Sequence, residues 1–94
     1  MNDKDILDLY FARSESAISA TNEKYGKYCH TVAMNILYSH EDSEECVNDT
    51  WLRAWGAIPP KRPTILRTFL GKITRNLALT RYEYASAQKR AAFV

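Results

Sequence analysis

The sequence predicts an all-α protein, a single domain of three to four helices with a proline-rich loop before the last one. Three observations predict it. Apolar residues recur at three- and four-residue steps through four separate segments. Only three Gly and three Pro occur in 94 residues, and every Pro lies between positions 59 and 63, so chain-breaking chemistry is confined to one place. The chain is 46% hydrophobic and 26% charged, which supplies a core and excludes a disordered tail. No repeat, low-complexity tract or linker divides it, so residues 1–94 are read as one domain.

The first segment runs from about Asp3 to Ala20. Asp3 is the expected cap, and Asp5 and Asp8 suit the positive end of a helix dipole. Ile6, Leu9, Tyr10, Arg13 and Ala17 form its stripe. Thr21-Asn22 offers a cap for a second segment, about Glu23 to Ser39. There Tyr25, Tyr28, Cys29, Val32, Ala33, Ile36 and Leu37 give the cleanest helical pattern of the chain. Nothing between the two forces a break, so one bent helix is the alternative.

The third segment starts near Ser39-His40-Glu41-Asp42. Asp42 with Glu45 three residues on reads as a capping box, with Asp42 as the cap. It runs to about Trp55, with Cys46, Val47, Thr50, Trp51, Ala54 and Trp55 inward, and Gly56 is expected to end it. Residues 57–64 contain Pro59, Pro60 and Pro63, and each biases its predecessor away from helix. This is a stiff, basic, extended loop. Thr64 then caps a fourth helix, about Ile65 to Gln88, with Ile65, Leu66, Phe69, Leu70, Ile73 and Leu77 inward. The chain is expected to fray from Lys89.

The net charge of +2 conceals an asymmetry. Residues 1–50 carry four Lys or Arg against ten Asp or Glu, a net of −6; residues 51–94 carry nine against Glu83 alone, a net of +8. The basic half suits phosphates, and the acidic half suits a basic protein surface. Attraction between the halves within one fold is the plainer reading, but it leaves the basic half in excess.

Several functions are excluded. No Gly-rich phosphate loop, HExxH pattern or nucleophile with an evident base is present, so no enzyme is expected. Cys29, His30, His40 and Cys46 lack zinc spacing, and no metal or cofactor is expected. The two Cys fall on apolar stripes and read as reduced, buried thiols. No apolar run is long enough for a membrane, the N-terminus is no secretory signal, and a cytoplasmic protein follows.

The stretch Glu41 to Trp55, EDSEECVNDTWLRAW, resembles region 2.2 of the sigma-70 family in its extracytoplasmic-function branch. The stretch Phe69 to Leu79, FLGKITRNLAL, resembles the helix carrying regions 2.3 and 2.4, and the first two segments correspond to region 2.1. The resemblance covers the whole chain as a region 2 domain, with no counterpart of the region 4 domain that reads the −35 element. It implies a sigma factor that docks on the clamp coiled coil of the polymerase β′ subunit and opens the −10 promoter element. By position, Asp42, Glu45, Asn48, Asp49 and Leu52 are the polymerase contacts. The loop is implied to hold an unstacked base of the −10 element, with Lys61 and Arg62 meeting phosphates or a base edge, and Arg67, Lys72, Arg75, Asn76 and Arg81 on the last helix are the contacts to the opened non-template strand. An anti-sigma factor is a further partner. Promoter preference does not follow, since Phe69 and Thr80 stand where relatives often carry Trp and an acidic residue.

The residue chemistry agrees with these roles. Carboxylates and amides on a helix suit guanidinium partners. A Pro-stiffened loop loses little entropy on binding. Basic side chains track phosphates, Asn76 can pair with a base edge, and exposed aromatics can stack on single-stranded bases. Trp51 and Trp55 are read as core or half-core and Phe69 as a core anchor before any ligand role, and Tyr82 and Tyr84 stay open between stacking platforms and plain surface. Two rivals stay open. One is an autonomous major-groove binder, against which the long loop argues. The other is a partial sigma that binds polymerase or an inhibitor without reading DNA.

Overall fold

The computed structural model describes residues 1–92. Within them lie four helices and no strand: α1 Asp3–Phe11, α2 Ser16–Leu37, α3 His40–Ala57 and α4 Leu66–Ala92. The all-α expectation holds. α2 is the hub, packing against the other three helices, and α3 and α4 also meet. The molecule measures 51 × 23 × 21 Å. α4, with 27 residues, is about 40 Å long and sets most of that length.

The helix ends depart from the sequence expectations for local reasons. Asn2, not Asp3, caps α1, its Oδ1 accepting from the Asp5 amide at 2.8 Å. Asp3 is drawn instead to α2, where Tyr25 Oη donates to both its oxygens (2.7 and 2.8 Å) and Lys24 Nζ lies at 2.8 Å. The break between the first two helices falls at residues 12–15, where Arg13 takes a left-handed φ of 55°. Thr21, the expected cap, is buried inside α2. Its hydroxyl donates to the Ala17 carbonyl at 2.7 Å, so the Tyr10 O–H donates to Thr21 at 2.7 Å. Burial raises the Tyr10 phenol against the weaker pull of that bond.

α2 ends on Tyr38, left-handed at φ 52° and 81% exposed, its N–H bonded to the Met34 carbonyl. Ser39, not Asp42, caps α3, accepting from the Asp42 amide at 3.3 Å. Gly56 does not end α3. The helix continues through Ala57, no Gly has positive φ, and the space where a Gly56 Cβ would stand is open. At the start of α4 the Ile65 carbonyl receives the Phe69 N–H at 3.1 Å, so Ile65 rather than Thr64 leads the chain into the helix. Ile65, expected on the inward face, is exposed instead. α4 runs past Gln88 and the expected fraying point at Lys89 to Ala92; Phe93 and Val94 lie outside the described residues.

The main core gathers Ile6, Leu7 and Tyr10 of α1, Tyr25 and Cys29 of α2, Val47, Trp51 and Ala54 of α3, and Leu66 and Leu70 of α4. Leu66 and Leu70 are wholly buried, each contributing about 2 kcal/mol from burial. Ala33, Cys46 and Ala78 form a smaller cluster. Thr50 and Thr74 are wholly buried and bridge α3 to α4, their hydroxyls 2.8 Å apart and each also within reach of its own i−4 carbonyl. Both thiols are free and buried, and burial pushes both pKa values up. Where α2 passes α4, Gly71 leaves room for Tyr28; a Cβ there would stand 2.5 Å from the Tyr28 hydroxyl. Among the described residues no helix is long and apolar enough to cross a membrane.

Candidate functional site

The outer face of α3 is built by helical spacing. Cys46, Val47, Thr50, Trp51 and Ala54 turn inward, which leaves Glu41, Glu44, Glu45, Asn48, Asp49 and Leu52 outward. The acidic residues start at the helix N-terminus, where the dipole favours them. Leu52 stands out among them, an aliphatic side chain 66% exposed on a carboxylate- and amide-bearing ridge. Isolated exposure of a Leu is ordinary, but here it follows directly on a polar helix face, one turn beyond Asn48.

The five predicted polymerase contacts are not equivalent. Asp42 and Glu45 face α4, and Arg81 Nη1 binds both, at 3.3 and 2.5 Å. The Glu45 carboxylate in turn holds the Arg81 guanidinium more firmly protonated. Asn48, Asp49 and Leu52 are exposed, and Asp49 has no ion pair among the described residues.

The seven predicted DNA contacts also divide. Lys72, Arg75 and Asn76 are exposed and share one face of α4 at three- and four-residue steps. Lys61 is exposed on the loop. Three others are engaged. Arg62 pairs with Asp8 at 3.0 Å and lies 5.1 Å from the Phe11 ring. Arg67 stacks on Tyr28 at 4.3 Å. Arg81 is the α3 clasp just described. The two charged halves therefore do attract each other within the fold, through Arg62 and Arg81, while Lys61, Lys72 and Arg75 stay outward.

The two predicted surfaces adjoin. A groove of about 470 Å³ runs between α3 and α4, with Asp49 and Arg53 on one bank, Asn76 and Tyr84 on the other, and Ile73 and Leu77 beneath. Asp49 of the docking candidates and Asn76 and Arg81 of the DNA candidates thus line one groove. Its polar and apolar mixture suits macromolecular contact. The His30 and His40 rings stack 5.3 Å apart, joining α2 to the start of α3.

Sequence reasoning missed the residues that hold the loop. Arg13 Nη1 donates to the carbonyls of Trp55 (2.9 Å) and Ile58 (2.7 Å), and its guanidinium lies 3.6 Å over the Trp55 ring. The available signal was a charged residue at a position of the first apolar stripe. Asp8 and Phe11 gave no such signal, because their partner is 54 and 51 positions away.

The sigma-70 region 2 family model matches residues 23–88. The chain belongs to the sigma-70 region 2 family. That segment takes in most of α2, all of α3, the proline-rich loop and α4 to Gln88, so both faces of the groove lie inside a sigma-70 region 2 domain. α1, Arg13 and the first turns of α2 precede the matched segment. Comparison with curated proteins and with solved structures finds no match.

Proposed function

We propose that the chain acts as a sigma factor of the extracytoplasmic-function type, in the cytoplasm and without catalysis of its own, by docking on the β′ clamp coiled coil and reading the opened −10 element. One observation carries the reading: within a sigma-70 region 2 domain, α3 with Asn48, Asp49 and Leu52 exposed meets α4 with Lys72, Arg75 and Asn76 exposed, and Asp49 and Asn76 line the groove between them. α3 offers carboxylate and amide acceptors to guanidinium donors, with Leu52 as an apolar anchor. The α4 face and Lys61 neutralise phosphates of the non-template strand, and Asn76 addresses a base edge. Away from polymerase the acidic α3 ridge repels a duplex, so the free chain binds DNA weakly.

Binding to the isolated clamp coiled coil at two salt concentrations tests the docking half. Saturable binding that weakens with salt is expected. Asp49→Arg is expected to weaken it at least tenfold, or about 1.4 kcal/mol, and Leu52→Ala to weaken it too, both without loss of thermal stability. Unchanged affinity in both variants removes α3 as the docking helix.

A second reading is favoured by the engaged state of Arg62, Arg67 and Arg81. A partial sigma would bind polymerase or an anti-sigma factor and leave DNA unread. Replacing Lys72, Arg75 and Asn76 together with Ala separates the two. Loss of single-strand binding on polymerase, with clamp binding intact, supports sigma action. Clamp binding by a chain that takes up no single strand even unmodified supports the partial sigma.

A further inference from the structure

We infer that Arg13 is a positioning residue for the proline-rich loop, anchored in the α1–α2 turn and fixing where Lys61 and Arg62 are presented. The inference rests on the sigma reading for the identity of the loop's ligand. Its physical basis is the C-terminus of α3. A helix leaves its last carbonyls without intrahelical partners and carries partial negative charge there. α3 has no basic residue of its own in the last turn. The Ala54 carbonyl is taken by the Ile58 N–H and the Ala57 carbonyl by the Lys61 N–H, each at 2.9 Å. The Trp55 carbonyl is taken by Arg13, which also grips the Ile58 carbonyl at the first residue of the loop. One guanidinium thus supplies the missing cation, takes one carbonyl of the helix end and ties the loop to it.

The arrangement is held from both sides. Below the guanidinium is the Trp55 ring, itself packed on the core and 6.2 Å from Tyr10. The Arg13 backbone sits at φ 55°, a conformation disfavoured for any residue with a Cβ, so the contacts keep it there. Four residues beyond Ile58, Arg62 is received by Asp8 and Phe11 of α1. The loop is therefore referenced to α1 and to the turn after it, and both lie before the segment that the family model matches.

The test uses the full chain and two variants. Arg13→Met keeps the aliphatic length and removes every donor. Arg13→Lys keeps the charge and three N–H donors. Two readouts are taken: hydrogen exchange at the Lys61 amide, and the affinity of the chain on core polymerase for single-stranded DNA selected by the unmodified chain from a pool randomised at the −10 positions. In Arg13→Met the Lys61 amide is expected to exchange at least tenfold faster while the amides of Cys29 and Thr50 keep their protection. Single-strand affinity is expected to fall about tenfold, the worth of one base contact, with clamp binding unchanged. Arg13→Lys restores most of both. An unmodified Lys61 exchange rate in Arg13→Met overturns the inference, as does unmodified single-strand affinity. Equal losses of clamp and single-strand binding overturn it too, since they mark a general loss of structure. If the unmodified chain on polymerase selects no single strand, the sigma reading fails and the positioning role falls with it, whatever the exchange rates.

Discussion

The two turns that flank α2 are each made by a residue with a Cβ in the left-handed region, Arg13 at φ 55° and Tyr38 at φ 52°. Their φ angles are nearly the same and their side chains are not. Arg13 reaches two carbonyls and an indole ring of α3 and the loop. Tyr38 is 81% exposed and makes no side-chain hydrogen bond among the described residues. Left-handed backbone costs a residue with a Cβ roughly 1–2 kcal/mol. At the first turn tertiary contacts offset that cost; at the second only the Tyr38 N–H to Met34 bond accompanies it. The turn beside the loop is specified by its side chain, and the other is merely tolerated.

The same substitution should therefore have opposite signs at the two turns. Arg13→Gly relieves the backbone and removes the clasp, and is expected to destabilise by about 2 kcal/mol, from two hydrogen bonds and a cation–π contact. Tyr38→Gly is expected to stabilise by about 1 kcal/mol, since the left-handed position after a helix favours Gly. Urea melts of the two variants measure the contrast, and the same sign in both would break it. A third glycine position sharpens the comparison from the other side. Gly56 is in regular helix with open space around it, so Gly56→Ala should gain about 0.5–1 kcal/mol by raising helix propensity. A loss there would mean that α3 needs slack before the loop.

The smallest effect separates the two ties on the loop by pH. Hydrogen bonds from Arg62 and then Lys4 hold the Asp8 carboxyl below the ordinary carboxylate range. A carboxyl lowered in the folded state stabilises above its unfolded value of 3.8, and that contribution disappears as pH falls through the folded value. The carbonyls that hold Arg13 do not titrate. Asp8→Asn should thus remove a small part of the acid-side loss of thermal stability, while Arg13→Met lowers the melting temperature without changing its acid slope. Equal slopes in the unmodified chain and Asp8→Asn would deny Asp8 a role.

The four helices and the loop could be read from the chain because their signals are periodic or concentrated. The α2 stripe, the inward Trp51 and the three prolines each speak for a whole element. The errors came where neighbouring residues compete for one job. Asn2 beside Asp3, and Ser39 ahead of Asp42, offer similar capping oxygens, and the losers had tertiary partners, Tyr25 and Arg81, unseen in local sequence. Thr21 looked like a boundary and is a buried hydroxyl paired with Tyr10. Gly56 looked like a terminator because glycine permits left-handed backbone, yet the chain places that conformation at an Arg and a Tyr. Of the site, spacing identified the Lys72, Arg75 and Asn76 face and the Asn48, Asp49 and Leu52 ridge as outward surfaces. It did not reveal that Arg62, Arg67 and Arg81 are engaged, because those contacts join positions 36 to 54 residues apart.

Gly71 has a use beyond close packing. The space left by its missing methyl group is occupied by the tip of Tyr28, and the face of that ring supports Arg67. An atom that is absent from α4 thereby fixes the resting place of a positive charge through an uncharged intermediary on α2. Widening that contact by one carbon would move the guanidinium while leaving the chain's charge untouched, so the electrostatic outline of this surface is adjustable by volume alone.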